Sequence, residues 1–401
     1  MTDLPFAPRG TSGQNRENLR QHNLSIVLQL LHRMGTVARS QLTSVTGLNR
    51  STISDLVAEL AARGLATESE AVPVGGVGRP SLAVSPANNV VAFAVNPEID
   101  ATTVAAVTLD GKIIDRVRYP THVQPEAQTA ATIANQLIGS MRKQLPAGTR
   151  IAGVGVAVPG QVRVKDGVVR FAPHLNWVEV PFGPMLSQLT GLPVWVDNDA
   201  SLATLAERTY GSARGANHVV SLFAGSGGIG GGVIVAGQQL RGYTGYAGEL
   251  GHIQISSSAT PDFSGLPGTL EALVRRDDLL EVFKLDSATD EELQFEIANA
   301  KSSAVKVING QIDALGRGVG VLATIFNPQM VLLSGFLASL FTFDSDRLLA
   351  AVKKSTLQSA NENLIIRAGE LGTRAVLIGA AELAFTELLE HPANAPLFLA
   401  S

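Results

Sequence analysis

The stretch GYAGELGHIQISSSATPDFSGLPGTLE, residues 245–271, concentrates side chains able to do chemistry: Glu249, His252, Asp262 and Glu271. A second group, Asn198 and Asp199, closes the run PVWVDND at residues 193–199. Carboxylates, an amide and an imidazole that converge on one spot take paired hydrogen bonds from a hydroxyl-rich ring. A carboxylate among them also serves as a general base. A structural alternative stays open, in which Asp197, Glu207 and Glu249 form a solvated rim or cap the chain. The sequence holds no cysteine, so disulfides, thiol nucleophiles and Cys-rich zinc sites fall away together.

The elements that position these groups are read from composition and period. With 401 residues, 45% of them apolar and 16% charged, the chain has room for two or three domains. Its longest apolar runs, such as residues 151–158, are far short of a bilayer span. The N-terminus has no apolar leader, so the expected location is the cytoplasm, with no membrane partner. Residues 225–230 match G-x-G-x-x-G, but GGVIVAGQQL follows as strand where a dinucleotide site needs a helix N-terminus. No Walker A segment occurs either. The net charge of −4 hides an asymmetry: residues 1–80 carry eight arginines against six acids, and the remainder 23 basic against 29 acidic residues.

Residues 1–18 read as a polar arm with Pro5, Pro8, Gly10 and Gly13. From Leu19 the apolar stripe Leu19, Ile26, Val27, Leu30, Leu31 and Met34 predicts a helix ending at Gly35. A short helix from Arg39 to Val45 and a turn at Thr46, Gly47 and Leu48 follow. Asn49 stands as the N-cap of a third helix whose inward face is Ile53, Leu56, Val57 and Leu60. This is a helix-turn-helix. Its third helix would enter a major groove with Arg50, Ser51, Thr52 and Ser54 near base edges, and Asn49 and Arg39 close by. Residues 65–84 suggest a wing, with Arg79 between Gly and Pro slim enough for a minor groove. A double-stranded DNA operator is the expected partner of residues 19–84, and the alternative is a small module for protein contacts. One mildly basic module binds weakly, so a homodimer or homotetramer contacting two half-sites is implied.

Beyond residue 85 the pattern alternates. Strands over 90–95, 102–110 and 111–119 predict a meander with a hairpin turn at Asp110 and Gly111. A helix at 126–144, strands at 151–160 and 193–199, and a helix at 200–208 follow. VVSLFA, a glycine hairpin and VIVAG over 219–237 then begin the same order again. Ile312, Leu315, Val319, Leu322 and Ile325 form the buried face of a later helix. Periodicity alone supports an α/β chain of two lobes.

The ordered signposts add to this: Gly155-x-x-x-Pro159-Gly160, Asn176-Trp177, the 196–200 run Val-Asp-Asn-Asp-Ala, Glu207, Glu249-x-Gly251-His252, Leu270-Glu271, Asn327-Pro328 and Gly379-Ala380-Ala381. In this order the chain resembles the ROK family of repressors and sugar kinases over essentially its whole length. The resemblance implies an α/β fold: a winged helix-turn-helix, then an actin-like (ribonuclease H-like) two-lobed domain. The lobes would span residues 85–199 and 200–375, with a C-terminal helix at about 376–398 packing back on the first. It also implies a monosaccharide or sugar-derivative effector held by Asn198, Asp199, Glu249, His252 and Glu271, with Asn176 a further candidate. Asp199 would be the equivalent of the kinase base.

Two departures from the family pattern bear on chemistry. The cysteine positions of the family's zinc loop carry Asp262, Ser264 and Thr269, so neither metal nor cofactor is expected. His252 would then serve a sugar hydroxyl, with the unstapled loop 256–268 more mobile. The first phosphate hairpin of the kinases, Asp-x-Gly-Gly-Thr, corresponds to Asn96, Pro97, Glu98, Ile99 and Asp100, and the later Gly-Gly to Gly335-Phe336. Side chains and charge would crowd a nucleotide there. The expectation is a sugar-responsive transcriptional repressor without enzyme activity, and the alternative an active sugar kinase carrying a DNA-binding domain.

Overall fold

The computed structural model describes residues 16–69, 82–121, 123–225 and 227–400. The N-terminal module consists of α1 (Arg16–Met34), β1 (Val37–Ala38), α2 (Arg39–Thr46), α3 (Arg50–Ala62), β2 (Ala66–Ser69) and β3 (Ala83–Pro86). Asn49 caps α3 by accepting the Thr52 N–H at 2.8 Å. Gly47 ends α2 in the left-handed region, φ 70°, which glycine adopts without a Cβ penalty. The three strands form an antiparallel sheet in the order β1-β3-β2. Two-residue β1 has no signal of its own in the sequence, since its pairing with β3 makes it a strand. The proposed wing tip, Arg79 included, lies outside the described residues.

Only residues 87–89 separate β3 from β4 (Val90–Pro97), which opens the body. β5 (Ala101–Thr108) and β6 (Ile113–Pro120) complete a meander. After α4 (Ala127–Gln144) come β7 (Arg150–Val158), β8 (Gln161–Arg163), β9 (Val168–Ala172), β10 (Trp177–Val180), α5 (Phe182–Thr190), β11 (Val194–Asn198) and α6 (Asp199–Tyr210). The main sheet runs β11-β7-β4-β5-β6, parallel across β11, β7 and β4 and antiparallel in the meander. β8 to β10 form a separate small sheet.

The second half repeats the plan. β12 (Val219–Gly225), β13 (Gly228–Val235) and β14 (Gln238–Gln239) make the second meander. Then come the helices α7 (Leu270–Leu273), α8 (Arg276–Phe283), α9 (Asp290–Ala298) and α10 (Ser302–Phe326), followed by β15 (Met330–Gly335), α11 (Phe336–Phe343), α12 (Ser345–Lys354), α13 (Gln358–Asn361) and β16 (Ile365–Ala368). The sheet order β14-β13-β12-β15-β16 matches that of the first lobe strand for strand. Two such lobes are the actin-like arrangement. The helices α7 to α9 had no place in the sequence reading, although α9 carries a full capping box between Thr289 and Glu292.

The last elements, α14 (Arg374–Glu390) and β17 (Phe398–Leu399), return to the first lobe, where β17 pairs with β7. The expected helix to residue 398 therefore stops at Glu390. Pro392 explains the stop, since a proline there disfavours helix at His391 and offers no N–H to continue. α14 packs on α6, β7 and β4, and glycines set how closely. A Cβ on Gly155 in β7 would collide with the Ala380 carbonyl, and one on Gly379 with the Leu202 carbonyl of α6. One continuous apolar core runs from Leu24, Leu28, Ile53 and Leu60 of the N-terminal module to Leu202, Ala206, Leu377 and Phe385.

Gly379→Ala would force α14 and α6 apart, an overpacking cost of ~1–3 kcal/mol. Calorimetry should give a melting temperature lower by several degrees, and an unchanged one would rule out the close approach.

Candidate functional site

A cavity of about 1000 Å³ opens between the lobes, where the turn after β4, the end of β7 and the start of α6 face the β12–β13 hairpin and residues 249–271. Asn198, Asp199, Glu249, His252 and Glu271 all line it. Asn176 does not. It sits at a left-handed position, φ 55°, and its Nδ2 donates to Gln124 Oε1 at 2.5 Å.

Asn198 spends its side chain on structure: Oδ1 accepts the Ser201 N–H at 2.9 Å as the cap of α6, and Nδ2 donates to the Gly160 carbonyl at 3.1 Å. That cap fixes Asp199 in the first turn of α6, with its carboxylate accepting the Ala200 N–H at 2.8 Å. Asp199 remains open to the cavity, yet enclosure by protein pushes its carboxyl up to about 7, with the nearby Glu249 charge adding to the rise. Burial likewise raises Glu249 and Glu271 above the usual range, and each also feels a neighbouring carboxylate. Glu271 holds the glycine hairpin as well, its Oε2 accepting the Ile229 N–H at 2.7 Å beside Gly228, where any Cβ would strike that carboxylate.

Asp262 occupies a cysteine position of the zinc pattern and acts as a hub. Its Oδ2 faces His252 Nδ1 at 2.8 Å and accepts from Thr269 Oγ1 at 2.9 Å. Its Oδ1 accepts the N–H groups of Ser264 and Leu266, both at 2.9 Å, and the Ser264 hydroxyl at 2.7 Å. Burial works against the charge, but these donors outweigh it and hold the carboxyl down to about 2. Packing and a single imidazole contact are thus not all that holds the loop; a carboxylate staples it. The same hub orients His252, whose ring lines the cavity. His252, Asp262 and Glu271 present ligand atoms within 4.8 Å of one another, but Asp262 already serves five hydrogen bonds.

Two other acids are structural. Asp197 Oδ2 accepts Arg241 Nη1 at 2.6 Å, and Glu207 accepts the N–H groups of Leu371 and Ser212. Sequence reasoning missed His174, which stacks on Phe263 with ring centroids 3.9 Å apart in the cavity wall. It missed Gln161 and Arg118 too. Arg118 reaches Asp100 at 2.7 Å and Glu98 at 3.2 Å, and Thr103 donates to Glu98 at 2.5 Å. No periodicity marks these residues, because only the fold brings β6 and the β8 sheet to the cavity.

The family model for ROK proteins matches residues 94–387. The chain belongs to the ROK family. It is 26% identical over 398 residues to a xylose repressor of Caldicellulosiruptor bescii, covering 94% of this chain and 99% of that one. It is 31% identical over 262 residues to a glucokinase of Thermotoga maritima, covering 60% of this chain and 81% of the relative. Among solved structures, a ROK transcriptional regulator described as a homologue of the E. coli MLC protein superposes with a TM-score of 0.76 at 23% identity, over 93% of this chain and 97% of that one. That likeness gives the fold.

The N-terminal module of this ROK chain exposes Asn49, Arg50 and Ser51 at the start of α3, with Thr52 and Ser54 half-buried. Asn49 Oδ1 also accepts the Ser51 hydroxyl at 2.7 Å. Arg39 is a strut: its Nη2 donates to Glu68 Oε2 at 2.6 Å and its Nη1 to Ser54 Oγ at 3.2 Å, joining α2, β2 and α3. No helix among the described residues is long and apolar enough to cross a membrane.

Because the folded protein raises the Asp199 carboxyl, it holds that proton more tightly than the unfolded chain does. Stability from this group therefore falls as pH rises from about 4 through about 7. Asp199→Asn should melt higher than the parent protein by a margin that widens between pH 5 and pH 8; a constant margin would mean that Asp199 is not perturbed. Asp262 runs the other way, stabilising above its ordinary range and losing that contribution as pH falls toward about 2. Asp262→Ala should cost ~1–3 kcal/mol and speed hydrogen exchange of the amides at 262–269, and unchanged exchange there would show that the loop does not depend on the hub.

Proposed function

We propose that this protein is a sugar-responsive transcriptional repressor that binds DNA through α3 and its adjoining sheet and a monosaccharide in the interlobe cavity. The observation that carries the reading is coverage. The similarity to the xylose repressor runs through the N-terminal module, whereas the similarity to the glucokinase covers 60% of the chain. In this reading Arg50 and Ser51 face base edges, Asn49 and Thr52 set the first turn of α3, and Arg39 with Ser54 fixes its pose. Arg79 would serve a minor groove. Asp199, Glu249 and Glu271 accept sugar hydroxyls, His252 donates or accepts at Nε2, and Asn198 holds Asp199 in place. Asn176 acts at most through Gln124.

Charge supports a sensor over a kinase. Among the described residues, ten carboxylates line the cavity against three arginines, a field that opposes a polyphosphate. Glu98 and Asp100 stand near the cavity's β4 end, neutralised by Arg118 and not by glycine backbone. Two copies, as a homodimer or within a homotetramer, would place two α3 helices on two half-sites in the cytoplasm, and sugar would alter their match.

Arg50→Ala should weaken binding to a duplex selected from a random library by about tenfold or more, consistent with ~1–3 kcal/mol for a base contact, while xylose or glucose affinity stays the same. Asp199→Ala should abolish the sugar effect with DNA affinity retained. Equal losses in both functions for either variant would contradict separate sites. A coupled ADP-release assay with ATP and xylose, glucose or N-acetylglucosamine should read background, and sustained turnover would establish the kinase alternative.

A further inference from the structure

We propose that Tyr210, Glu382 and His32 form a positioning relay through which occupancy of the interlobe cavity sets the pose of the N-terminal module. The proposal rests on the sensor reading above and names its route. Helix α6 begins with Asp199 in the cavity and ends with Tyr210, a rod of twelve residues and about 18 Å at 1.5 Å per residue. The Tyr210 hydroxyl donates to Glu382 Oε1 of α14 at 3.0 Å and lies 3.1 Å from His32 Nε2. Glu382 Oε2 meets the same His32 Nε2 at 2.8 Å. His32 Nδ1 meets the Leu109 carbonyl, in the turn between β5 and β6 of the first meander. The three side chains thus tie α6, α14 and α1 to one another and to the first lobe.

Directionality separates this cluster from ordinary packing. His32 is 1% and Glu382 7% exposed, with Phe385 edge-on to the imidazole at 5.9 Å. The three side chains share donors and acceptors with one another, so a displaced Tyr210 hydroxyl must draw Glu382 and His32 along or break the geometry of their bonds. Burial and the Glu382 charge push the Tyr210 hydroxyl up, which keeps it a donor. A sugar drawn against Asp199 acts on the first turn of α6, and a stiff helix delivers the displacement at its last residue. Beside the cluster, a cleft of about 520 Å³ lined by His32, Thr36, Ser85, Asp110 and Tyr210 separates the module from the body, leaving the end of α1 space to shift. Other contacts, such as Ser25 Oγ to the Leu389 carbonyl at 2.7 Å, anchor α1 to the C-terminal end of α14 and act as its pivot.

The test uses the full chain, a duplex selected from a random library, and xylose or glucose, with Tyr210→Phe and Glu382→Gln as variants. In the parent protein sugar should change duplex affinity by about 5- to 150-fold, the usual range of allosteric coupling, and change hydrogen exchange in residues 16–34. In Tyr210→Phe, which keeps the ring, that change should shrink to about threefold or less, and the exchange response of residues 16–34 should vanish. Sugar affinity measured without DNA should stay within about twofold of the parent. A purely structural role would lower the melting temperature but leave the sugar-dependent ratio intact, which would overturn the relay, as would full responses in both variants. If Glu382→Gln does not fold, Tyr210→Phe alone decides. A parent protein without any sugar-dependent ratio would instead remove the sensor reading, and the relay with it.

Discussion

The close approach of α14 to its neighbours is the constraint on which the rest of the molecule depends. Gly155 lets α14 lie on β7, and Gly379 lets α6 lie on α14. Small residues at a helix crossing trade side-chain contacts for backbone proximity, and here the proximity sets three positions at once. It places the first turn of α6, with Asp199, at the mouth of the cavity. It brings Glu382 within reach of Tyr210. It also presents the outer face of α14 to α1, so that the module's apolar core and the body's become one.

In and around the cavity, charge is managed by a division of labour. Asp262 and Glu207 are saturated with donors and serve the scaffold, whereas Asp199 and Glu249 are crowded, under-satisfied and raised toward neutrality. The second pair lines the cavity with few donors from the protein, so burial sets its proton affinity. Asp262 ties the loop at 262–269 together through its hydrogen bonds.

Much of this was legible in the residues. The Asn49 cap, the Gly47 turn and the Asp110–Gly111 hairpin are local, and local chemistry is written in local sequence. The cavity set 198–199, 249–252 and 271 was legible through its resemblance to ROK proteins, not through period. Asn176 lies apart from that set, at a left-handed turn with its side chain on Gln124. What stayed hidden is long-range: the relay joins residues 32, 210 and 382, and Arg118 meets Glu98 across a hairpin. No window of sequence contains such partners. The end of α14 was misjudged because its apolar pattern invites continuation, while a single proline at 392 overrides it.

The three residues between β3 and β4 bear on how motion would be shared out. A long tether would let each DNA-reading head wander and search for its half-site alone. So brief a junction, flanked by paired strands and backed by a shared core, denies that freedom. Any shift of α1 is then confined to small displacements about its attachment to α14, and the short junction passes them on and does not absorb them. The molecule behaves as a pointer on a short stem, in which a small movement at the root becomes a defined change of direction at α3 in place of a random one.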